Sequence, residues 1–143
     1  MTIARVIAAK PDTAVLSAQA DMTVLEAIAL LAERRIGAMP VLDGGRLVGI
    51  FSERDVIYCA AKEGTAALGR PLRDIMTEDP FTAHPEVSVL EALALMTQRR
   101  VRHLPVLEGG RLVGIVSIGD LVKYRIDSIE RETEAMRSYI QNA

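Results

Sequence analysis

The chain has 143 residues, half of them apolar, with 17 Lys and Arg set against 19 Asp and Glu for a net charge of −2. That length suits one domain or two very small ones obliged to share a core. The balanced charge offers no basic field for nucleic acid or an anionic membrane, so neither is expected as a partner. With two Phe, three Tyr and no Trp, the core has to be filled by Val, Ile, Leu, Ala and Met. The single cysteine, Cys59, excludes an intrachain disulfide and a cysteine-based zinc cluster, suits a reducing compartment, and reads as a small buried side chain.

In chain order, Arg5 and Lys10 flank an apolar patch too short for a signal sequence, and no apolar run approaches about 18 residues, so a cytoplasmic location is expected. A short strand is predicted near residues 14–17. Thr23 and Glu26 then form the Ser/Thr-x-x-Glu pattern of a capping box, opening a helix with Leu25, Ile28, Ala29 and Ala32 on one face. Two aliphatic strands, 38–42 and 46–51, flank Asp43-Gly44-Gly45, a hairpin signal because glycine tolerates positive φ. A second helix is predicted after Ser52. Residues 62–71, with Gly64, Gly69 and Pro71, read as a linker.

The pattern then repeats at an offset of about 65 residues. About 20 of the 38 positions from 21 to 58 are identical in the second copy. Ser88 and Glu91 open the helix carrying Leu90, Leu93 and Ala94, Glu108-Gly109-Gly110 makes the turn, and a helix follows Ser117. A short strand is predicted at 81–83. Beyond Asp120, residues 121–140 hold no Gly or Pro and place Ile126, Ile129, Thr133, Met136 and Ile140 at helical steps, as an amphipathic helix would. The expected organisation is an α/β (α+β) fold of two tandem β-α-β-β-α repeats: 1–63 with the N-terminal segment, 64–75 as linker and short helix, 76–125, and a C-terminal helix over 126–143.

Twice over, a Pro-Val-Leu strand, a Gly-Gly turn, Leu-Val-Gly-Ile and Ser-x-x-Asp occur in the same order. This resembles the tandem cystathionine β-synthase (CBS) domain pair, the Bateman module. The resemblance spans about residues 11–123, leaving no room there for a separate catalytic domain, and Asp74-Ile75-Met76-Thr77 is a familiar phrase at the entrance to these repeats. It implies a pseudo-twofold body with two clefts that in many members hold AMP, ATP, NAD(H) or S-adenosylmethionine. It also implies ribose contacts from Ser52 and Asp55 and from Ser117 and Asp120.

The chemistry is sound in its own right, since a carboxylate can accept from both hydroxyls of a ribose diol and a helix N-terminus favours phosphate. Ser-x-x-Asp is equally a plain N-cap with an acid in the first turn. The clefts should differ, because Glu53-Arg54 stands against Ile118-Gly119 and Gly37-Ala38 against Arg102-His103. Arg54, Arg102 and His103 are the phosphate-binding candidates, with solvated surface charge as the alternative. Ala38, Met39, Pro40, Leu104 and Pro105 are candidate walls for the purine, or ordinary core residues.

His84 and His103, the only histidines, have no second ligand at i+4, so no metal site is expected. No nucleophile–base pair or phosphate-binding glycine loop is present. The leading expectation is a non-catalytic sensor, homodimeric as the family commonly is, binding AMP, ATP or NAD(H) and acting on an unknown regulated protein. A dimerisation module without nucleotide and a nucleotide hydrolase are the alternatives.

Overall fold

The computed structural model describes residues 1–10 and 16–142. The first repeat comprises β1 (Ala18–Gln19), α2 (Val24–Arg34), β2 (Ala38–Asp43), β3 (Arg46–Ser52) and α3 (Glu53–Glu63), preceded by helix α1 (Ile3–Ala9). Two 3₁₀ turns, Gly64–Gly69 and Leu72–Asp74, lead to β4 (Thr77–Glu78). The second repeat then runs through α4 (Val89–Arg99), β5 (His103–Glu108), β6 (Arg111–Ser117) and α5 (Ile118–Gln141). Of the strand expected at 14–17, residues 14 and 15 lie outside the described residues, and the strand observed is β1. Its expected twin at 81–83 shrinks to one bridge, Ala83 with Val106. The separate C-terminal helix expected from residue 126 is the continuation of α5, since nothing after Ser117 interrupts the backbone hydrogen bonding.

Both hairpins form where the glycine pairs require them, with φ of +58° and +81° at Gly44 and Gly45 and the same angles at Gly109 and Gly110. The strands pair antiparallel in identical register, and each shows one irregularity, between Val41 and Leu42 and between Val106 and Leu107. Thr23 and Ser88 cap α2 and α4 by accepting from the backbone N–H of Glu26 and Glu91. The reciprocal form of the box occurs instead at α3 and α5, where Ser52 pairs with Asp55 and Ser117 with Asp120.

The buried stripe of α2 is Val24, Ala27 and Leu31, and that of α4 is Val89, Ala92 and Met96. Leu25 and Leu90, expected to face the core, are 54 % and 59 % exposed, and Ala29, Ala32 and Ala94 are exposed with them. Both helices are apolar on more than one side, so helical period alone does not select the face; packing against the sheet does.

The chain crosses between its repeats. α1 precedes the first repeat yet packs on the second: Ile3 N–H donates to Val87 O at 2.9 Å, and Ile3 and Val6 belong to the core of Val89, Met96, Leu104, Val116 and Leu121. Symmetrically, the segment before the second repeat packs on the first, with Leu72 N–H donating to Met22 O at 2.8 Å and Leu72 in the core of Val24, Leu31, Met39 and Phe51. The N-terminal segment, contiguous in sequence with the first repeat, therefore packs on the core of the second. Among the described residues no polar side chain is buried, and no helix is long and apolar enough to cross a membrane.

Candidate functional site

The crossing governs the two Ser-x-x-Asp caps. At the start of α3, Ser52 N–H donates to Asp55 Oδ2 at 2.8 Å, and Asp55 N–H to Ser52 Oγ at 3.4 Å. The other carboxylate oxygen, Oδ1, accepts from Thr77 Oγ1 at 3.0 Å. Thr77 reaches Asp55 because β4 pairs with β3, opposite Gly49 and Ile50. That approach demands glycine: a Cβ at Gly49 would lie 2.6 Å from Met76 Sδ and 2.8 Å from Thr77 O.

At the start of α5 the cap is the same, with Ser117 N–H donating to Asp120 Oδ2 at 2.9 Å and Asp120 N–H to Ser117 Oγ at 3.0 Å. What crosses over is different. Here α1 passes Gly114, whose Cβ would meet Ile7 Cδ1 at 3.0 Å, and delivers Lys10. Its ammonium donates to Asp120 Oδ2 at 3.1 Å and to Ile115 O at 3.0 Å. Burial alone would raise the Asp120 carboxyl; the Ser117 backbone N–H and the Lys10 ammonium outweigh it and hold the group below its ordinary range. One aspartate thus meets a neutral hydroxyl and its twin a cation.

Around Asp55 lies a cleft of about 310 Å³ shared by both repeats. Ile50, Pro80, Phe81 and Val101 give it an apolar surface; Glu53, Asp55, Glu78 and Asp79 supply acids; Arg54, Arg100, Arg102 and His103 supply bases. The Arg99 guanidinium sits 5.0 Å from the centre of the Phe81 ring, near enough for a cation–π contact that holds the ring in place. Arg54 Nη1 reaches Arg100 O at 3.5 Å, bridging the repeats. His103 lies beside Gly37, within 3.4 Å of where a Cβ would be. Burial lowers its pKa, against the opposing pull of the Asp120 and Glu53 carboxylates, so the imidazole is neutral near pH 7.

Of the residues singled out in the sequence, Ser52, Asp55, Arg54, Arg102 and His103 come together in this one cleft. Ser117 and Asp120 do not line that cleft, although Ser117 pairs with His103 across β5 and β6 and Asp120 is near enough to act on its imidazole. Ala38, Met39, Pro40, Leu104 and Pro105 are all buried and do not line this cleft; Met39 and Leu104 belong to the two cores. Ile50, Pro80, Phe81 and Val101 stand in their place. Thr77 was visible only as part of the Asp74–Thr77 phrase, and Arg100 only as an identity between the repeats. Lys10 gave no signal, since its pairing depends on the crossing. No cluster of three potential metal ligands occurs among the described residues.

The CBS-domain family profile matches residues 5–62 and 72–127. The chain belongs to the CBS-domain family. It is 36 % identical over 126 residues to the mitochondrial CBS domain-containing protein CBSX3 of Arabidopsis thaliana, covering 85 % of this chain and 61 % of that one. It is 32 % identical to the CBS domain-containing protein YhcV of Bacillus subtilis, over 76 % and 77 % of the two chains. Among solved structures, the CBS-domain protein ATU1752 of Agrobacterium tumefaciens superposes with a TM-score of 0.82 at 35 % identity, covering 87 % of this CBS pair and 92 % of its own chain. CBSX2 in complex with AMP superposes with a TM-score of 0.76 at 25 % identity, over 88 % and 96 %. The fold is thus a CBS pair, a module generally regulatory, and among its structural relatives are proteins solved with adenosine ligands bound.

Proposed function

We propose that this CBS pair is a non-catalytic cytoplasmic sensor that binds an adenine nucleotide in the cleft at Asp55. The observation that carries this reading is the arrangement of that cleft. A carboxylate with one oxygen engaged by a threonine hydroxyl lines the cleft together with an apolar surface, three arginines and His103. A ribose diol can replace the Thr77 hydroxyl at Asp55, the purine can lie on Ile50, Pro80 and Phe81, and the phosphate can meet Arg54, Arg100, Arg102 and His103. A volume of about 310 Å³ is at the lower end for ligand sites, roughly 300–1,000 Å³, which favours AMP over a whole dinucleotide such as NAD(H). AMP in the CBSX2 structure supports the same choice.

Ser117 and Asp120 form the second ribose position, where a ribose would compete with the Lys10 ammonium for Asp120. Binding at the first cleft joins elements of both repeats, so it alters their relative seating, and by linkage the regulated protein changes nucleotide affinity by the same factor. The module is a homodimer, supported by exposed Leu25, Ile57, Tyr58 and Leu90 on its helices. Those same faces favour the second reading, a dimerisation module without nucleotide.

Calorimetric titration with AMP, ATP, NADH and S-adenosylmethionine separates the two. Binding of AMP with one site per chain, weakened by substitution of Asp55, is expected. Flat titrations of nucleotide-free protein that remains dimeric would assign the second reading.

A further inference from the structure

The longest helix leaves the body altogether. α5 has 24 residues, about 36 Å at 1.5 Å per residue, and from Ile129 to Asn142 every residue is exposed. A helix segment of that length is marginal on its own in water. Yet it carries an apolar seam, Val122, Ile126, Ile129, Thr133, Met136 and Ile140, at alternating steps of four and three. Its apolar members are between 42 % and 68 % exposed. Steps of four and three are the heptad repeat of a coiled coil, here with Ile126, Thr133 and Ile140 at position a and Val122, Ile129 and Met136 at d. All three a residues are β-branched, which two-stranded parallel coils prefer at that position, whereas Ile129 at d does not share that preference, so the choice of two strands rests on the flanking charges.

The flanking charges choose the partner and its direction. With this seam, Arg125 and Glu132 occupy g, and Glu130 and Arg137 occupy e. Against a second copy running parallel and in register, each g residue meets the e residue five positions further on. Arg125 meets Glu130 of the other copy and Glu132 meets its Arg137, so every such pair is attractive. In the antiparallel arrangement that seats the same seam, Glu130 falls opposite Glu130, Glu132 opposite Glu132, and Lys123 opposite Arg137. All of those pairs repel.

We infer that α5 pairs with α5 of a second copy as a parallel, in-register two-stranded coiled coil. The inference rests on the homodimer reading above and makes it specific. Because α5 starts at the Ser117–Asp120 cap, the same rigid helix runs from the second ribose position into the seam.

The test uses the full chain, with dimerisation followed by sedimentation and the seam by disulfide trapping. Met136→Cys is expected to oxidise to a covalent dimer, and so is Ile126→Cys. A mixture of the two should give little mixed disulfide, since positions 126 and 136 are about 15 Å apart along parallel helices; buried Cys59 makes the unsubstituted chain the control. Glu132→Lys and Arg137→Glu should each weaken the dimer about tenfold, and the double variant should restore it. Predominant mixed disulfide, or a dimer tightened by Arg137→Glu, would mean antiparallel pairing and overturn the inference. A dimer that traps at neither position would overturn it and leave the homodimer standing on other faces. A chain monomeric at all concentrations would sink both.

Discussion

Replacing Asp55 and Asp120 by Asn, one at a time, tests whether the twin caps have diverged in function. In each cap, Asn keeps an oxygen for the backbone N–H of Ser52 or Ser117 and loses the negative charge, so the cost to stability should stay below about 1 kcal/mol. For a nucleotide in the first cleft, Asp55→Asn replaces one charge-assisted hydrogen bond to the ribose by a neutral contact. At about 2 kcal/mol for such a bond, the dissociation constant should rise roughly 30-fold. Asp120→Asn should leave that affinity within about twofold, because Asp120 lies under α1 and is engaged by Lys10. The complementary variant is Lys10→Met. The ion pair with Asp120 is about one-third exposed on each side, so solvent screening limits its strength to about 1 kcal/mol. Its removal should improve nucleotide binding at the second position about fivefold, bringing the measured stoichiometry from one toward two. Titration calorimetry of the three variants against AMP reads both quantities. Unchanged affinity in Asp55→Asn together with lost binding in Asp120→Asn would refute the assignment of the occupied cleft.

Burial disfavours the charged form of His103 in the folded protein, while in the unfolded chain it titrates near its ordinary value of 6.5. The unfolded state therefore binds more protons, and stability should fall as the pH drops through about 6.5, with a flatter profile for His103→Gln in urea unfolding at several pH values. A phosphate beside His103 would favour the imidazolium, so AMP affinity should strengthen on acidification more in the native protein than in His103→Gln, which shares the ligand's own titration. Arg35 closes α2 in the left-handed region at φ +54°; Arg35→Gly should raise the unfolding free energy by about 0.5–1 kcal/mol, as measured by denaturant midpoint. Gly49→Ala would press on Thr77 O and Met76. It should cost about 1–3 kcal/mol in thermal unfolding and, by displacing Thr77, disturb the Asp55 cleft, whereas Gly44→Ala should leave AMP affinity unchanged.

The doubling of the chain, its hairpins and the Ser-x-x-Asp caps were legible because each is local: glycine pairs dictate a turn, and a side-chain oxygen three residues from an N–H dictates a cap. Asp55, Arg54, Arg102 and His103 could be named as site candidates for the same reason, as departures from or identities within a repeat. The buried side of α2 and α4 was not legible, since Leu25 and Val24 are equally apolar and only the sheet beneath chooses between them. Whether Ala38, Met39, Pro40, Leu104 and Pro105 face a purine or the core was not legible, because a buried strand residue and a cleft-lining residue share one composition.

What tertiary structure alone decided is which distant side chain each Ser-x-x-Asp cap receives. The segments that finish each repeat are exchanged, so Asp55 receives Thr77 from 22 residues away and Asp120 receives Lys10 from 110 residues away. No local pattern encodes a contact of that range. It arises because neither repeat can bury its core alone, and the segment that covers each one is supplied from beside the other.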